Sequence, residues 1–460
     1  MIMLRPENIL FLSVEDLNDF VTPLGGHPDA VTPNIQRLAD RGVLFTNAMS
    51  TSPACSPART AALFGQAPWR TGIYFNANKH WHKYGRNTAR SLPGYLRKNG
   101  WKTYGAGKIF HGPYDQLDMT DWTQFDYTKE KPVGAISKAA QQGLITKNMD
   151  FGPLPRGTRI WDDERLDFTL GKITSNATGC FWSFGVYRPH LPFVVAEEYF
   201  DPIPEDPQNP PGMVVAKYGD TDPSNIALHD APKELMRRSA FNGKKLLQTG
   251  EFKAYLRAYL ASCFYADTLI GRVLDHLDAT GQAERTLIVL WSDHGQQFGE
   301  KGGLRKFTLS ERSLRIPMIF SGPGIQPSRV KEPVSLLDMY PTVMSVLGLE
   351  APDAMDGSDL SGLIYGLSDL PRDHVLSIWG REDGADFSPA LSVRTKDHRY
   401  SFYWNGDEEL YNHTRDPYEL KNLASDNAHA ETLERLMSLL PIDIAPPHST
   451  SAEPSSGSAF

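Results

Sequence analysis

The sequence predicts an α/β protein: a large, mostly parallel sheet flanked by helices, followed by a smaller antiparallel sheet. Three observations carry that reading. Short apolar runs alternate with helical segments over the first two-thirds of the chain. Four of those runs end abruptly in charged or imidazole groups, as parallel strands do beside a ligand crevice. From about residue 371 the pattern changes to short alternating strands and a late helix.

The elements follow in chain order. Residues 9–14 form a buried strand ending in Glu15-Asp16. Residues 33–41 form a helix with Thr32 as N-cap, Pro33 at the first position and Gly42 as the stop. Residues 103–107 are a weaker strand ending in Lys108, and 180–186 a strand followed by Arg188-Pro189-His190. The stretch 202–232, rich in Pro, Asp, Gly and Asn, reads as a long surface insertion near the cleft. Residues 255–277 carry Leu256, Tyr259, Leu260, Cys263, Ala266, Ile270, Val273 and Leu274 at helical spacing, a core-facing stripe. Residues 287–291 are a strand followed by Ser292-Asp293-His294. Strands at 375–379, 390–394 and 400–404 and a helix at 428–440 complete the pattern. The expected division is a catalytic α/β domain over 1–370, a small sheet-plus-helix unit over 371–445, and a flexible Pro/Ser-rich tail over 446–460.

Composition narrows the function. The chain has 460 residues, with 47 Lys+Arg against 55 Asp+Glu, a net charge of -8. A globally basic nucleic-acid binder is thereby disfavoured, and bulk charge alone would also disfavour anionic substrates. Three cysteines cannot form a disulfide framework. Cys180 and Cys263 fall on core-facing positions and read as packing residues. No run reaches the ~18 apolar residues of a membrane span, and no signal peptide is visible. A cytoplasmic location is therefore expected, or a periplasmic or secreted one if a leader has been removed.

The sharpest local feature is Cys55-Ser56-Pro57-Ala58-Arg59, followed by helix formers. Pro57 suits a first helical turn, which sets Cys55 at a helix N-terminus, where free N–H groups favour an anion. Arg59 lies one turn on and can face the same side. A nucleophile beside an anion seat and a guanidinium suits phosphoryl or sulfuryl transfer. An isolated cysteine before a helix is otherwise usually a buried one.

Cys-x-Pro-x-Arg in this setting resembles the signature of the type I sulfatases. The rest of the chain agrees. Val14-Glu15-Asp16-Leu17-Asn18-Asp19 resembles the family's first metal-binding strand end, and Gly107-Lys108-Ile109-Phe110-His111 its Gly-Lys-x-x-His element. Ser292-Asp293-His294-Gly295 resembles the second metal element, with Lys306 in the basic stretch behind it. Glu409-Leu410-Tyr411-Asn412, Asp416-Pro417 and Asn422-Leu423-Ala424 resemble the C-terminal signature. Tyr187-Arg188-Pro189-His190-Leu191-Pro192-Phe193 looks most like the iduronate-2-sulfatase branch, which includes microbial enzymes acting on sulfated polysaccharides.

The resemblance implies an alkaline-phosphatase-like fold and a sulfatase acting on a sulfated carbohydrate. It implies that a maturation enzyme oxidises Cys55 to Cα-formylglycine, whose hydrated aldehyde is the nucleophile. It implies a divalent cation, Ca²⁺ or alternatively Mg²⁺, held by Glu15, Asp16, Asp293, His294 and an oxygen of modified Cys55. One departure stands out: the family usually has two aspartates at the first strand end, and here the first is Glu15. His190 becomes the candidate proton donor to the leaving oxygen and His111 the candidate base. Arg59, Lys108 and Lys306 become the sulfate grip. The basic, aromatic segment 76–84 reads either as a sugar contact or as a rim loop without a ligand. Two rival readings stay open: a phosphonate or phosphate monoester hydrolase of the same superfamily, and a non-catalytic binder of sulfated glycans with unmodified Cys55.

Overall fold

The computed structural model describes residues 5–76, 91–111, 119–126, 151–213, 250–301, 303–353, 355–368, 372–383 and 386–447. The segment 77–84, residues 214–232 of the expected insertion and most of the expected tail lie outside the described residues.

An eight-stranded sheet organises the chain. Its strands are β1 (Asn8–Val14), β2 (Gly42–Phe45), β3 (Lys102–Gly107), β4 (Gln124–Asp126), β5 (Cys180–Val186), β6 (Thr286–Ser292), β7 (Met318–Ser321) and β8 (Ser328–Val330). They lie in the order β8-β2-β7-β6-β1-β5-β3-β4. All run parallel except β7, which pairs antiparallel with both neighbours. β1 is buried along its whole length because both faces of the sheet are covered. Leu10, Leu12 and Val14 point into one core, closed by the long helix Phe252–Ala279, and Ile9 and Phe11 into the other. That two-sided burial is why the strand reads as an unbroken apolar run rather than an alternating one.

The helices include α1 (Pro33–Ala39), α2 (Cys55–Phe64), α3 (Trp161–Lys172), α4 (Phe252–Ala279), α5 (Met339–Leu347) and α6 (Ala430–Met437). The stripe on α4, Cys263 included, is buried against the first core, and Cys180 joins it from β5. α2 and α5 cover the opposite face. No helix among the described residues is long and apolar enough to cross a membrane.

Two expectations about α1 need correction. Thr32 stands at the N-cap position, but its side chain does not cap the helix. Its hydroxyl accepts from the Thr22 N–H at 2.7 Å instead. The free amides of Asn34 and Ile35 are taken by Asp267 of α4, at 3.0 and 2.7 Å. Gly42 does not stop the helix, which ends at Ala39. Gly42 opens β2, and a Cβ there would meet the Phe320 carbonyl oxygen of β7 at 2.3 Å.

A second sheet of four antiparallel strands follows: β9 (His374–Asp383), β10 (Asp386–Thr395), β11 (His398–Phe402) and β12 (Glu408–Asn412). The fourth strand lies in the segment read only as a signature. This sheet packs on the segment before Cys55: Ile378 N–H donates to Thr51 O at 2.9 Å and Ser377 Oγ to Ser50 O at 2.6 Å. Val375, Trp379 and Tyr403 share an apolar cluster with Met49, Ala54 and Leu314. Buried charges reinforce the contact. Glu311 accepts from Arg394 Nε at 3.0 Å and from Arg399, and Glu419 pairs with Arg399 at 2.7 Å and with Lys301 at 3.3 Å.

Capping in trans by Asp267 makes α1 depend on α4. Asp267→Ala leaves buried N–H donors unpaired and is expected to cost about 2–4 kcal/mol in urea unfolding. Thr32→Ala is expected to cost less than about 1 kcal/mol.

Candidate active site

The register of the parallel strands places their charged ends side by side. Val14 is opposite both Val186 and Ser292, and Gly107 is opposite Gly185. Glu15 continues the ladder by donating its N–H to Val186 O at 3.0 Å, and Lys108 donates to Gly185 O at 2.8 Å. Gly107 has φ +76°, and a Cβ there would meet the Gly185 carbonyl at 2.0 Å, so only glycine lets Lys108 turn in this close. Asp16 sits in the left-handed region at φ 57°. Its N–H donates to Asp293 Oδ1 at 3.0 Å, and its carbonyl accepts from Tyr259 Oη at 2.9 Å. Asn18 donates its backbone N–H to the same Tyr259 hydroxyl.

Cys55 opens α2 and is fully buried. Ala54, at the N-cap position, has no side-chain acceptor, and Asn76 supplies one from outside: its Oδ1 accepts the Ser56 N–H at 2.9 Å. The Cys55 Sγ lies 3.2 Å from His294 Nε2 and 3.2 Å from Lys306 Nζ. His294 Nδ1 faces the Gly295 carbonyl at 3.0 Å. A carbonyl can only accept, so Nδ1 carries the proton and Nε2 offers its lone pair to the site. Burial pulls the His294 pKa down, against the pull of Asp293, which favours that neutral form. Burial pushes the Cys55 thiol up to about 12. Unmodified Cys55 is therefore a thiol, not a thiolate nucleophile, at neutral pH.

Arg59 and Asp293 form a fully buried ion pair, Nε to Oδ2 at 2.9 Å. The Arg59 Nη1 also donates to Lys108 O at 2.6 Å, while Nη2 is buried without a hydrogen-bond partner among the described residues. Burial alone would raise the Asp293 pKa, but Arg59, with the more distant Lys108 and Lys306, holds it well below the usual carboxylate range. Lys306 Nζ reaches Asp16 Oδ1 and Oδ2 at 2.8 and 3.1 Å. Lys108 Nζ pairs with Glu15 Oε1. His190 Nε2 stands 3.9 Å from the same oxygen, with its Nδ1 on the Leu191 carbonyl at 2.6 Å. His111 is pulled well below its ordinary pKa by burial and by the charges of Lys108, Lys306 and Arg59. Its buried Nδ1 has no hydrogen-bond partner among the described residues.

The residues singled out in the sequence thus meet around Cys55, with His111 within the field of its three cations. Two overlapping groups present ligand atoms within 4.8 Å of one another: Glu15, Asp16, Cys55 and His190, and Asp16, Cys55, Asp293 and His294. Glu15, Asp16 and Asp293 bring three carboxylates to the set, and Glu15 Oε2 is buried without a hydrogen-bond partner among the described residues. An orphaned carboxylate oxygen inside such a set fits a hard divalent cation. A third group, Glu311, His413 and Glu419, already holds its counter-charges in Arg394, Arg399 and Lys301.

Comparison with known proteins agrees with this geometry. The family model described as Sulfatase matches residues 7–349. The chain belongs to the sulfatase family. It is a sulfuric ester hydrolase, and a second model, N-sulphoglucosamine sulphohydrolase, C-terminal, matches residues 299–442. A sulfatase of Formosa agariphila is 31% identical, covering 94% of this chain and 86% of that protein. A choline-sulfatase of Rhizobium meliloti is 28% identical over 91% and 82% of the two chains. Human iduronate 2-sulfatase is 25% identical over 94% and 93%. The phosphonate monoester hydrolase of Agrobacterium radiobacter superposes with a TM-score of 0.72 at 20% identity, covering 94% and 95% of the two chains, which establishes the shared fold.

Sequence reading gave no role to Tyr259 or Asp162 and placed Asn76 only within a segment near the cleft; Asn76 binds the Ser56 N–H, Tyr259 the Asp16 carbonyl, and Asp162 the N–H groups of Tyr187 and Arg188. Tyr259 was legible only as one apolar position of a stripe. Its hydroxyl, reaching across 243 residues to Asp16, left no local signal.

A carboxylate set of this kind predicts cation-linked stability. A divalent cation at about 100 times its dissociation constant is expected to stabilise the chelator-stripped sulfatase by about 2.7 kcal/mol. The rise in melting temperature should vanish in Asp293→Ala.

Proposed function

We propose that this sulfatase hydrolyses sulfate esters of carbohydrates through Cys55 converted to Cα-formylglycine by a maturation enzyme. The observation that carries the reading is the convergence of Glu15, Asp16, Asp293 and His294 on a buried Cys55 at a helix N-terminus. Those four side chains and modified Cys55 would hold the divalent cation, with calcium preferred and magnesium as the alternative. The cation, when bound, supplies charge neutralisation for sulfate oxygens and acidifies a hydroxyl group. The hydrated aldehyde supplies two hydroxyls on one carbon, one to attack sulfur and one to release sulfate afterwards. An unmodified thiol with its pKa near 12 offers neither.

The chain's own residues do the rest. Arg59 has an unpartnered buried Nη2 to offer an anion. Lys306 places an ammonium group beside Asp16, and Lys108, whose pKa burial pulls down to about 7 against Asp293, sets a second amine beside Glu15, so the sulfate meets basic groups despite the acidic set. His190 gives a proton to the leaving sugar oxygen as the S–O bond breaks. His111, held neutral by burial, takes the proton from the remaining hydroxyl, and sulfate leaves. The carbohydrate assignment is supported by the human relative, whose name specifies an iduronate sulfate. The choline-sulfatase relative puts choline O-sulfate in the same substrate panel.

Two outcomes are expected. Mass spectrometry of the peptide spanning 51–59 should show a loss of about 18 Da, the conversion of thiol to aldehyde, in protein made with a maturation enzyme. Cys55→Ala should then lose turnover while keeping its melting temperature; finding only thiol would favour a glycan-binding role. In side-by-side kinetics, sulfated sugars should be turned over faster than an aryl phosphonate by at least about tenfold in kcat/KM, or about 1.4 kcal/mol in transition-state stabilisation. The reverse order would favour a phosphonate hydrolase.

A further inference from the structure

His190 is carried by a turn rather than by a strand, yet a proton donor has to be held to within a fraction of an ångström. The turn is pinned from α3. Asp162, at the start of that helix, is buried, and its carboxylate spans two consecutive amides just past the end of β5. Oδ1 accepts the Tyr187 N–H at 2.7 Å and Oδ2 the Arg188 N–H at 3.1 Å. The Tyr187 carbonyl in turn accepts the His190 N–H at 3.0 Å. The rings of Tyr187 and His190 lie 4.9 Å apart, and the Lys108 ammonium stands 5.3 Å from the Tyr187 ring. Burial pushes the Asp162 pKa up to about 6, against Arg188 and the two amides, so a costly buried carboxylate is kept at this spot.

We infer that Asp162 is a positioning residue for His190: its carboxylate fixes the peptide that carries the imidazole to the leaving oxygen. This inference rests on the reading of His190 as the proton donor. It differs from a purely structural role in one respect. A misplaced proton donor harms esters of poor leaving groups and spares esters of good ones, whereas a loss of folded protein harms both alike.

The test compares kcat/KM for a monosaccharide sulfate and for 4-nitrophenyl sulfate in wild type, Asp162→Asn, Asp162→Ser and His190→Ala. The ratio of the two constants is independent of the folded fraction. Asp162→Asn is expected to lower the sugar rate by about 30-fold and the aryl rate by less than about threefold, a partial loss of the ~10²–10⁴-fold that a general acid contributes. Asp162→Ser, which removes both carboxylate oxygens but sets no amide N–H against the Arg188 N–H, should show the same selective loss, and it supplies the ratio if Asp162→Asn does not accumulate. Equal losses on both substrates in the Asp162 variants, with a selective loss in His190→Ala, would overturn the inference and leave His190 as donor. Equal losses in His190→Ala would overturn the donor assignment itself, and the inference with it.

Discussion

The buried ion pair between Arg59 and Asp293 is the contact on which the site depends. It joins the helix that begins with Cys55 to the end of the strand that supplies Asp293 and His294. The same guanidinium reaches the Lys108 carbonyl, so three separate parts of the chain meet on one side chain. Neither charge is exposed to water. Removing one partner of such a pair strands the other, at a typical cost of about 3–5 kcal/mol. The pair also keeps Asp293 ionised in a place where burial would otherwise protonate it. Without that, the carboxylate set would lose its sign before any cation arrived.

Charge is distributed here by position rather than by total. The chain is acidic overall at -8, which describes its long-range field. Within the site, Glu15 is met by Lys108, Asp16 by Lys306 and Asp293 by Arg59. Each carboxylate has a cation within contact distance, so an anion approaching the site meets local charges that the sum over the chain conceals. The fully buried Cys55 lies among them.

Much of this was legible in the sequence because it is local. A strand covered on both faces must be apolar throughout, and β1, β5 and β6 appear where the apolar runs stand. The charged residues at their ends are adjacent in sequence to the strands that deliver them. What escaped is non-local. Asp267 caps a helix 232 residues away, and Asp162, Asn76 and Tyr259 each support the site with one side chain bound to backbone from another part of the chain. Thr32 illustrates the limit: its type and position both suit a cap, but a buried aspartate from α4 competes for the same amides and wins. The pairing of Glu311 and Glu419 with Arg394 and Arg399 is equally invisible, since each residue alone resembles an ordinary surface charge.

The packing of the second sheet on the Ser50–Thr51 backbone fixes an order of events in time. β9 is among the later parts of the chain to leave the ribosome, and it closes over a segment translated more than three hundred residues earlier. Cys55 and every residue of its helix end up buried. A macromolecule too large to enter the folded site would meet that sulfur more readily before the sheet has docked. The pace at which the last strands settle would then set how long that interval lasts.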